Sequence, residues 1–350
     1  RSLIKESVEQ LKELAQLEGY SFIEIDTNLL DGSEENSVDV KFLINEGPRV
    51  YVNKINIAGN TRTVDKVIRR EVKLAEGDPY NKYSVDYSKD SIRALNYFKE
   101  IEINQVRTEF PDKINLEVSV EEKNTGEASI GAGYSSANAA SVNFGLRENN
   151  FLGKGQKVKF DTSFSNTRNA YDISITEPYF NNKPLSLTTN LYSNFTDPNN
   201  VNYETEDLGF GLSSSFPLST DRYIEIRYSL FTSKIKANSN ATAYENALAG
   251  TDTVSSVGYT LAFDKRNSRY KPSNGFNFQI SQDLAGLGGD SHYYKNSFEF
   301  NYYKRLSKRL IGAYKLHGGN INGYNDKYSP LASNFKLGGK KLRGFKSGKI

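Results

Sequence analysis

From about Thr125 onward, apolar and polar residues alternate one by one, and this period-two pattern most constrains what the chain can become. Val158, Phe160, Thr162 and Phe164 alternate with Lys157, Lys159, Asp161 and Ser163. Ile224, Ile226, Tyr228 and Leu230 alternate with Tyr223, Glu225, Arg227 and Ser229, and Phe298, Phe300 and Tyr302 with Ser297, Glu299 and Asn301. Successive strand side chains point to opposite faces, so each segment offers one apolar face and one face of charges and amides. The segments run for roughly 9–15 residues, about twice the 5–6 usual in a soluble sandwich or propeller. A strand that crosses hydrocarbon at a tilt needs about 9–11.

Breakers divide this region. Pro178, Pro184, Pro198, Pro217, Pro272 and Pro330 fall at proposed strand ends or loops, where a missing N–H does a sheet no harm. Between the breakers the pattern predicts about 11 strands. Compact connections near residues 152–155, 181–184, 218–221 and 307–308 are expected to alternate with longer ones at 237–251 and 324–343. Short turns on one side and long loops on the other mark a transmembrane β-barrel, in which Phe151, Tyr179, Phe180 and Tyr223 would join an interfacial girdle.

Composition fits that class. A barrel lined with polar groups leaves half of its strand positions without need of apolar residues, because lipid replaces the core outside. Apolar residues make up only 37% of the chain, yet 23 Tyr and 20 Phe are present. A mean hydropathy of −0.62, with no uncharged apolar run near 18 residues, excludes membrane-spanning helices and a retained signal peptide. With no Cys, disulfides, thiolate metal sites and thiol nucleophiles fall together, and two His residues give a metal cluster little to build on. A net charge of +3 offers little for nucleic acid. Gly286-Leu287-Gly288-Gly289 precedes no helix and so is no phosphate loop, and Asp290, Ser291 and His292 sharing a loop do not make a triad. The absence of Met reads as a mature or internal segment. An odd strand count, and an end at Gly348-Lys349-Ile350 directly after a basic glycine-rich loop, lead us to expect a missing closing portion.

The first 123 residues read differently. Ile4, Val8, Leu11 and Ala15 recur at helical spacing, and Gly19 follows as a stop. Strands around Ile23–Ile25 and Val38–Ile44 come next, joined at Asp31-Gly32-Ser33. A second unit has a strand at Ile55 and Ile57, a turn at Gly59-Asn60, helices at Val64–Leu74 and Ser84–Phe98, and strands at Ile101–Ile103 and Ile114–Val120. Its order of strand, helix, helix, strand, strand makes the first piece look like the tail of the same kind of unit.

These features together resemble the BamA-type assembly factors of the POTRA-plus-barrel superfamily, over nearly the whole chain. Residues 1–46 resemble the C-terminal part of a POTRA domain, 47–124 a complete one, and 125–350 the N-terminal part of an outer-membrane β-barrel with a long sixth loop at 324–345. The resemblance rests on Val120–Gly126 followed by Ser129–Tyr134, on Asn150–Gly155, Thr176–Phe180 and Asp264–Gly275, and above all on Leu342-Arg343-Gly344-Phe345, similar to the family's Val-Arg-Gly-Phe loop tip. It implies α+β POTRA modules followed by an all-β antiparallel barrel, with about 11 strands present of sixteen. The strands after the sixth loop, with the acidic partners of the loop's Arg, are absent from this sequence.

The resemblance further implies an outer-membrane location with periplasmic POTRA domains, and no bond chemistry, cofactor or metal. The implied partners are unfolded outer-membrane proteins, assembly lipoproteins and outer-membrane lipid. In such a factor the first strand, here about Glu127 to Ser136, forms a weakly closed seam. Its small residues Ser129, Gly131, Ala132 and Gly133 suit that role, or else simply make room for a bulky neighbour. Arg343 and Phe345 would pin the loop inside the barrel, or else belong to a solvated basic loop among Lys336, Lys340, Lys341, Lys346 and Lys349. A POTRA edge strand, either Ile55–Ile57 or Ile114–Val120, would accept a client strand. A two-partner-secretion exporter of the same superfamily, or a passive porin or adhesin barrel, are the alternatives.

Overall fold

The computed structural model describes residues 2–17, 20, 23–32, 38–47, 49–135, 139–197, 202–325 and 335. They divide into two units, Arg1–Thr125 with Leu152–Gly155, and Gly126–Phe151 with Gln156–Ile350.

The first unit opens with the amphipathic helix α1 (Ser2–Leu17) and the antiparallel hairpin β1 (Glu24–Asp31) and β2 (Val38–Asn45). Then come β3 (Tyr51–Ala58), α2 (Asp65–Arg69), α3 (Lys82–Ala94), β4 (Phe98–Arg107) and β5 (Lys113–Glu122). The three strands form a sheet in the order β3-β5-β4, with β3 parallel and β4 antiparallel to β5. Alternation puts Ile114, Leu116, Val118 and Val120 on one face of β5, where they meet Val52, Ile55, Val67, Ile68 and Ile92 in a closed apolar core.

Both helices of this sheet are shorter than their apolar patterns predict. Helix α2 ends on its cap Arg70, which is still helical at φ −68° and ψ −19°, the Lys73 N–H donates to Ser88 Oγ at 2.8 Å, and Leu74 reaches the core from an irregular segment. Asn81 caps α3 by accepting from the Ser84 N–H. The far end stops at Ala94 because Asn96 takes a left-handed φ of 61°, leaving Phe98 to open β4 rather than close the helix. The central position of β5 also corrects one expected edge. Ile114–Val120 is paired on both sides, so the edges are β3, which carries Ile55 and Ile57, and β4.

Glu122, the last residue of β5, fastens the turn before α2. Its carboxylate accepts from Thr61 Oγ1 (2.8 Å) and from the N–H groups of Arg62 (2.9 Å) and Thr63 (2.7 Å), where the helix cap Val64 has no side-chain acceptor to offer. The turn Leu152–Gly155 groups with this unit through the Val64 N–H, which donates to Gly153 O at 2.9 Å. Gly153 sits at φ +71°, and a Cβ there would lie 1.9 Å from Arg62 O, so only glycine fits.

The second unit is one antiparallel sheet of eleven strands, each beside its sequence neighbours. They are β6 (Gly126–Ser135), β7 (Ala139–Phe151), β8 (Gln156–Ser165), β9 (Arg168–Glu177), β10 (Ser186–Thr196), β11 (Tyr203–Ser219), β12 (Arg222–Ala237), β13 (Gly250–Asp264), β14 (Gly275–Gly289), β15 (Tyr293–Arg305) and β16 (Ile311–Gly323). A short helix, α4 (Ala243–Ala247), lies between β12 and β13. The strands are 10 to 17 residues long, enough for a tilted membrane crossing. No described helix is long and apolar enough to cross a membrane.

Pro217 falls near the end of β11, where the register with β12 shifts between Pro217 and Ser219. Two expectations for this unit need correction. Tyr223 faces the polar side of the sheet, where its hydroxyl accepts from Gln279 Nε2 at 3.2 Å, so it is no girdle residue. An aromatic band does exist, built by Phe263 with Phe278, Phe276 with Phe300, and Phe300 with Tyr314, at ring separations of 6.2 to 6.5 Å. The connections also fail to alternate cleanly. The side expected to carry short turns includes residues 265–274, while 166–167 and 290–292 on the other side are tight.

Two measurements test the first unit. Leu116→Ala is expected to cost about 2–5 kcal/mol, read by urea-dependent proteolysis, whereas Phe110→Ala, at an exposed position, should change little. Partial burial opposes the charge on Glu122, but the hydrogen bonds from Thr63, Thr61 and Arg62 outweigh it and hold the carboxyl below its usual range. Its contribution is therefore fully present above the unfolded carboxyl value of about 4.3 and is lost as pH falls through the lowered folded value. Glu122→Gln should flatten that acid-side slope of stability in pH-dependent unfolding.

Candidate functional site

The strand unit inverts the distribution found in the first unit. In register across β7 to β12, Leu146, Phe160, Ile173, Leu191, Phe210 and Leu230 form a continuous apolar row. Leu146, Ile173, Leu191 and Leu230 in that row are exposed, with Leu191 at 56%. Soluble monomers rarely expose apolar patches beyond a few hundred Å². A face of this extent calls for hydrocarbon.

The opposite face is a hydrogen-bonded polar wall. Arg227 holds Asp283 through Nε (2.8 Å) and Nη2 (2.7 Å), and its Nη1 donates to Thr260 Oγ1 at 2.6 Å. Gly258 makes room for this pair, because a Cβ there would lie 2.1 Å from Asp283 Oδ1. Asn301 donates to Asn277 (2.8 Å), and Ser233 donates to Asp207 (2.6 Å). Phe335, from the segment that follows β16, lies against this wall: its ring would touch a Cβ added to Gly319, and the Lys295 ammonium sits 4.8 Å from the ring centre. Leu342, Arg343, Gly344 and Phe345 lie outside the described residues.

Every residue in the wall sits on the same strand parity as its partner. The sequence pattern showed the polar face, but the Arg227–Asp283 pairing joins residues of two strands that are not adjacent, β12 and β14, and only the register reveals it.

Between these two faces the sheet ends at β6. This strand pairs with β7 from Gly126↔Glu148 to Ser135↔Ala139, and its other edge has no partner strand among the described residues. Residues 126–134 are all exposed, Ile130 to 82%. Ser129, Gly131 and Gly133 share the polar face, while Ala132 lies on the apolar face with Ala128 and Ile130. The structure brings these four together in one strand but not around a bulky neighbour: a Cβ on Gly131 would meet nothing within 4 Å, and on Gly133 only Ser141 Oγ at 3.7 Å. Close approach falls instead to Gly145 of β7, where a Cβ would lie 2.8 Å from both Asp161 Oδ1 and Ser129 Oγ. The sequence signal for Gly145 was a lone glycine inside an alternating run.

No group of His, Cys, Asp and Glu side chains suited to a metal ion occurs among the described residues. Gly286–Gly289 closes β14, Asp290 accepts from the Thr253 N–H at 2.9 Å, and His292 packs edge-on against Tyr324, so these residues are engaged in holding strand ends.

An antiparallel sheet with an apolar and a polar face, preceded by a compact α/β module, defines the class of β-barrel membrane proteins with attached periplasmic modules. Known proteins bear this out. The model of the Omp85 superfamily domain matches residues 150–350, and the POTRA model, described as a surface antigen variable number repeat, matches residues 50–123. The chain belongs to the Omp85 superfamily. It is 28% identical over 341 residues to the outer membrane protein assembly factor BamA of Nitratidesulfovibrio vulgaris, covering 94% of this chain and 42% of that protein. To BamA of Neisseria meningitidis serogroup B it is 27% identical over 357 residues, covering 95% of this chain and 44% of the relative. The chain thus spans less than half the length of these curated relatives. The crystal structure of Haemophilus ducreyi BamA lacking POTRA domains 1–3 superposes with a TM-score of 0.84 at 24% identity, covering all of this chain and 70% of that one, and shares its fold.

Proposed function

We propose that the protein of which this chain forms part is an outer-membrane β-barrel assembly factor that accepts unfolded outer-membrane proteins and templates their strands at β6. The observation that carries this reading is β6, whose outer edge, like that of β16 at the other end of the sheet, has no partner strand among the described residues, and which alone of the two is lined by Ser129, Gly131, Ala132 and Gly133. Its free N–H and C=O groups are a template for an incoming strand, and its small residues leave that edge without side-chain cover. The strand unit lies in the outer membrane and the α/β units in the periplasm. The chemistry required is hydrogen-bond exchange, so no catalytic residue or cofactor is assigned.

Within this reading, residues 1–46 are the C-terminal part of a POTRA domain, 47–124 a complete one and 125–350 the barrel portion, with the sixth loop at 324–345. Ser129, Gly131, Ala132 and Gly133 form the seam. Leu342, Arg343, Gly344 and Phe345 form the loop tip that docks on the polar wall, a placement supported by Phe335 lying on that wall. The edges β3 and β4 are the surfaces offered to client strands or to assembly lipoproteins, and the apolar face to outer-membrane lipid.

The reading is tested in liposomes carrying the complete protein and an unfolded barrel client. Folding of the client no faster than in empty liposomes would refute an assembly factor, and release of client across the bilayer would indicate an exporter instead. Replacing Gly131 and Gly133 together by Val should stiffen the seam and slow client folding, since both positions have room for the side chains. Arg343→Ala should raise the protease accessibility of the sixth loop and impair assembly, whereas unchanged accessibility with wild-type activity would refute the docking role.

A further inference from the structure

The apolar face of the sheet carries one polar row that a lipid-facing surface does not call for. Tyr259, Gln282, Asn296 and Asn320 stand opposite one another across β13 to β16. The Tyr259 hydroxyl donates to Gln282 Oε1, Gln282 Nε2 donates to Asn296 Oδ1 at 2.8 Å, and Asn296 Nδ2 donates to Asn320 Oδ1 at 3.1 Å. Neighbouring rows on both sides are mainly apolar: Leu261, Ile280 and Phe298 on one, Val257, Leu284 and Tyr294 on the other. The row is therefore embedded within the apolar band.

In hydrocarbon an amide without partners is costly, and the ladder answers only part of that demand. Each primary amide has two N–H donors and the chain of bonds uses one, so Gln282 and Asn296 each retain a donor with no partner among the described residues. The same residues border a cleft of about 650 Å³ whose other walls include Ile226, Val257, Leu284 and Tyr294. Asp283 also borders it, but its carboxylate turns to Arg227 on the opposite face. The cleft thus combines apolar walls with unspent, uncharged donors. That combination fits an uncharged acceptor attached to a hydrocarbon chain, not a phosphate or a peptide carboxylate.

We infer that Gln282 and Asn296 bind a membrane lipid through the ester or amide carbonyl at the root of its acyl chain, with the chain lying in the cleft. This rests on the membrane reading of the apolar face.

The test uses the complete protein in vesicles of phosphatidylethanolamine and phosphatidylglycerol, doped with an ester-linked phosphatidylethanolamine bearing a photoactivatable diazirine near the head of one acyl chain. Crosslinks mapped by mass spectrometry should be enriched on residues 257–296 over the apolar face of β8 and β9 by roughly three- to tenfold, the effect of one or two hydrogen bonds. Enrichment should vanish with the ether-linked analogue, which lacks the carbonyl, and with Gln282→Leu/Asn296→Leu. The ether-lipid arm uses the unaltered protein, so the result stands even if the double variant fails to fold. Equal labelling of all apolar segments, or enrichment that persists with the ether lipid, would overturn the inference while leaving the membrane reading intact. Absence of labelling on every apolar segment, β8 and β9 included, would overturn both.

Discussion

Backbone hydrogen-bond satisfaction without water is the constraint on which the strand unit depends. In hydrocarbon every N–H and C=O must find a protein partner, and a sheet meets that demand only through neighbouring strands. Each of β7 to β15 has a partner on both sides, and the run of antiparallel neighbours in chain order supplies those partners with the least chain between them. Strand length, the polar wall and the apolar face follow from the same condition. A strand must be long enough to cross, its lipid side must be apolar, and its other side is free to carry Arg227, Asp283 and Asn301 provided they pair with one another. At β6 and at β16 the condition is left open on one edge among the described residues, and the proposed strand exchange uses the edge of β6.

The two units solve the burial problem in opposite senses. In the first, β5 gives its alternating Ile114, Leu116, Val118 and Val120 to a core closed by α2 and α3, and polar groups such as Glu122 work at the rim. In the second, the apolar residues face out and the polar ones pair within. The same period-two sequence therefore has opposite meanings in β5 and β12. Helical segments next to β5 supply cover for its apolar side, and none follows β12 except the five-residue α4.

Much of this was legible in the sequence because strand alternation is local. Eleven strands, their apolar and polar faces and the small residues of β6 follow from reading neighbours two apart. What escaped depends on partners distant in the chain. The order β3-β5-β4, which removes Ile114–Val120 from the edge, is a choice among pairings that alternation does not encode. A position near a strand end points Tyr223 to a girdle, yet its parity with Glu225 and Arg227 sets it on the polar face. The helix ends depart from the apolar pattern where one residue overrides it, as the left-handed Asn96 does before Phe98. Of the candidate site, β6 was visible as composition, but its exposure and the space around Gly131 required the register of β6 on β7.

Register also creates the polar row on the apolar face, which no single strand's sequence displays. Tyr259, Gln282 and Asn296 lie in three different strands and Asn320, followed on the same face by Asn322, in a fourth, and within any one strand each would pass for a tolerated exception. Aligned by pairing they become a directional chain of donors that begins at a phenol and ends on β16. A scattered set of polar residues in hydrocarbon would leave each amide to satisfy itself, whereas a row lets one oxygen serve the next nitrogen and concentrates the unspent donors in one place. The edge strand β6 and this row thus share a physical basis. In both proposals, hydrogen-bonding capacity left unsatisfied within an apolar surrounding is what would draw the missing partner: a backbone strand at β6, and a carbonyl oxygen at Gln282 and Asn296.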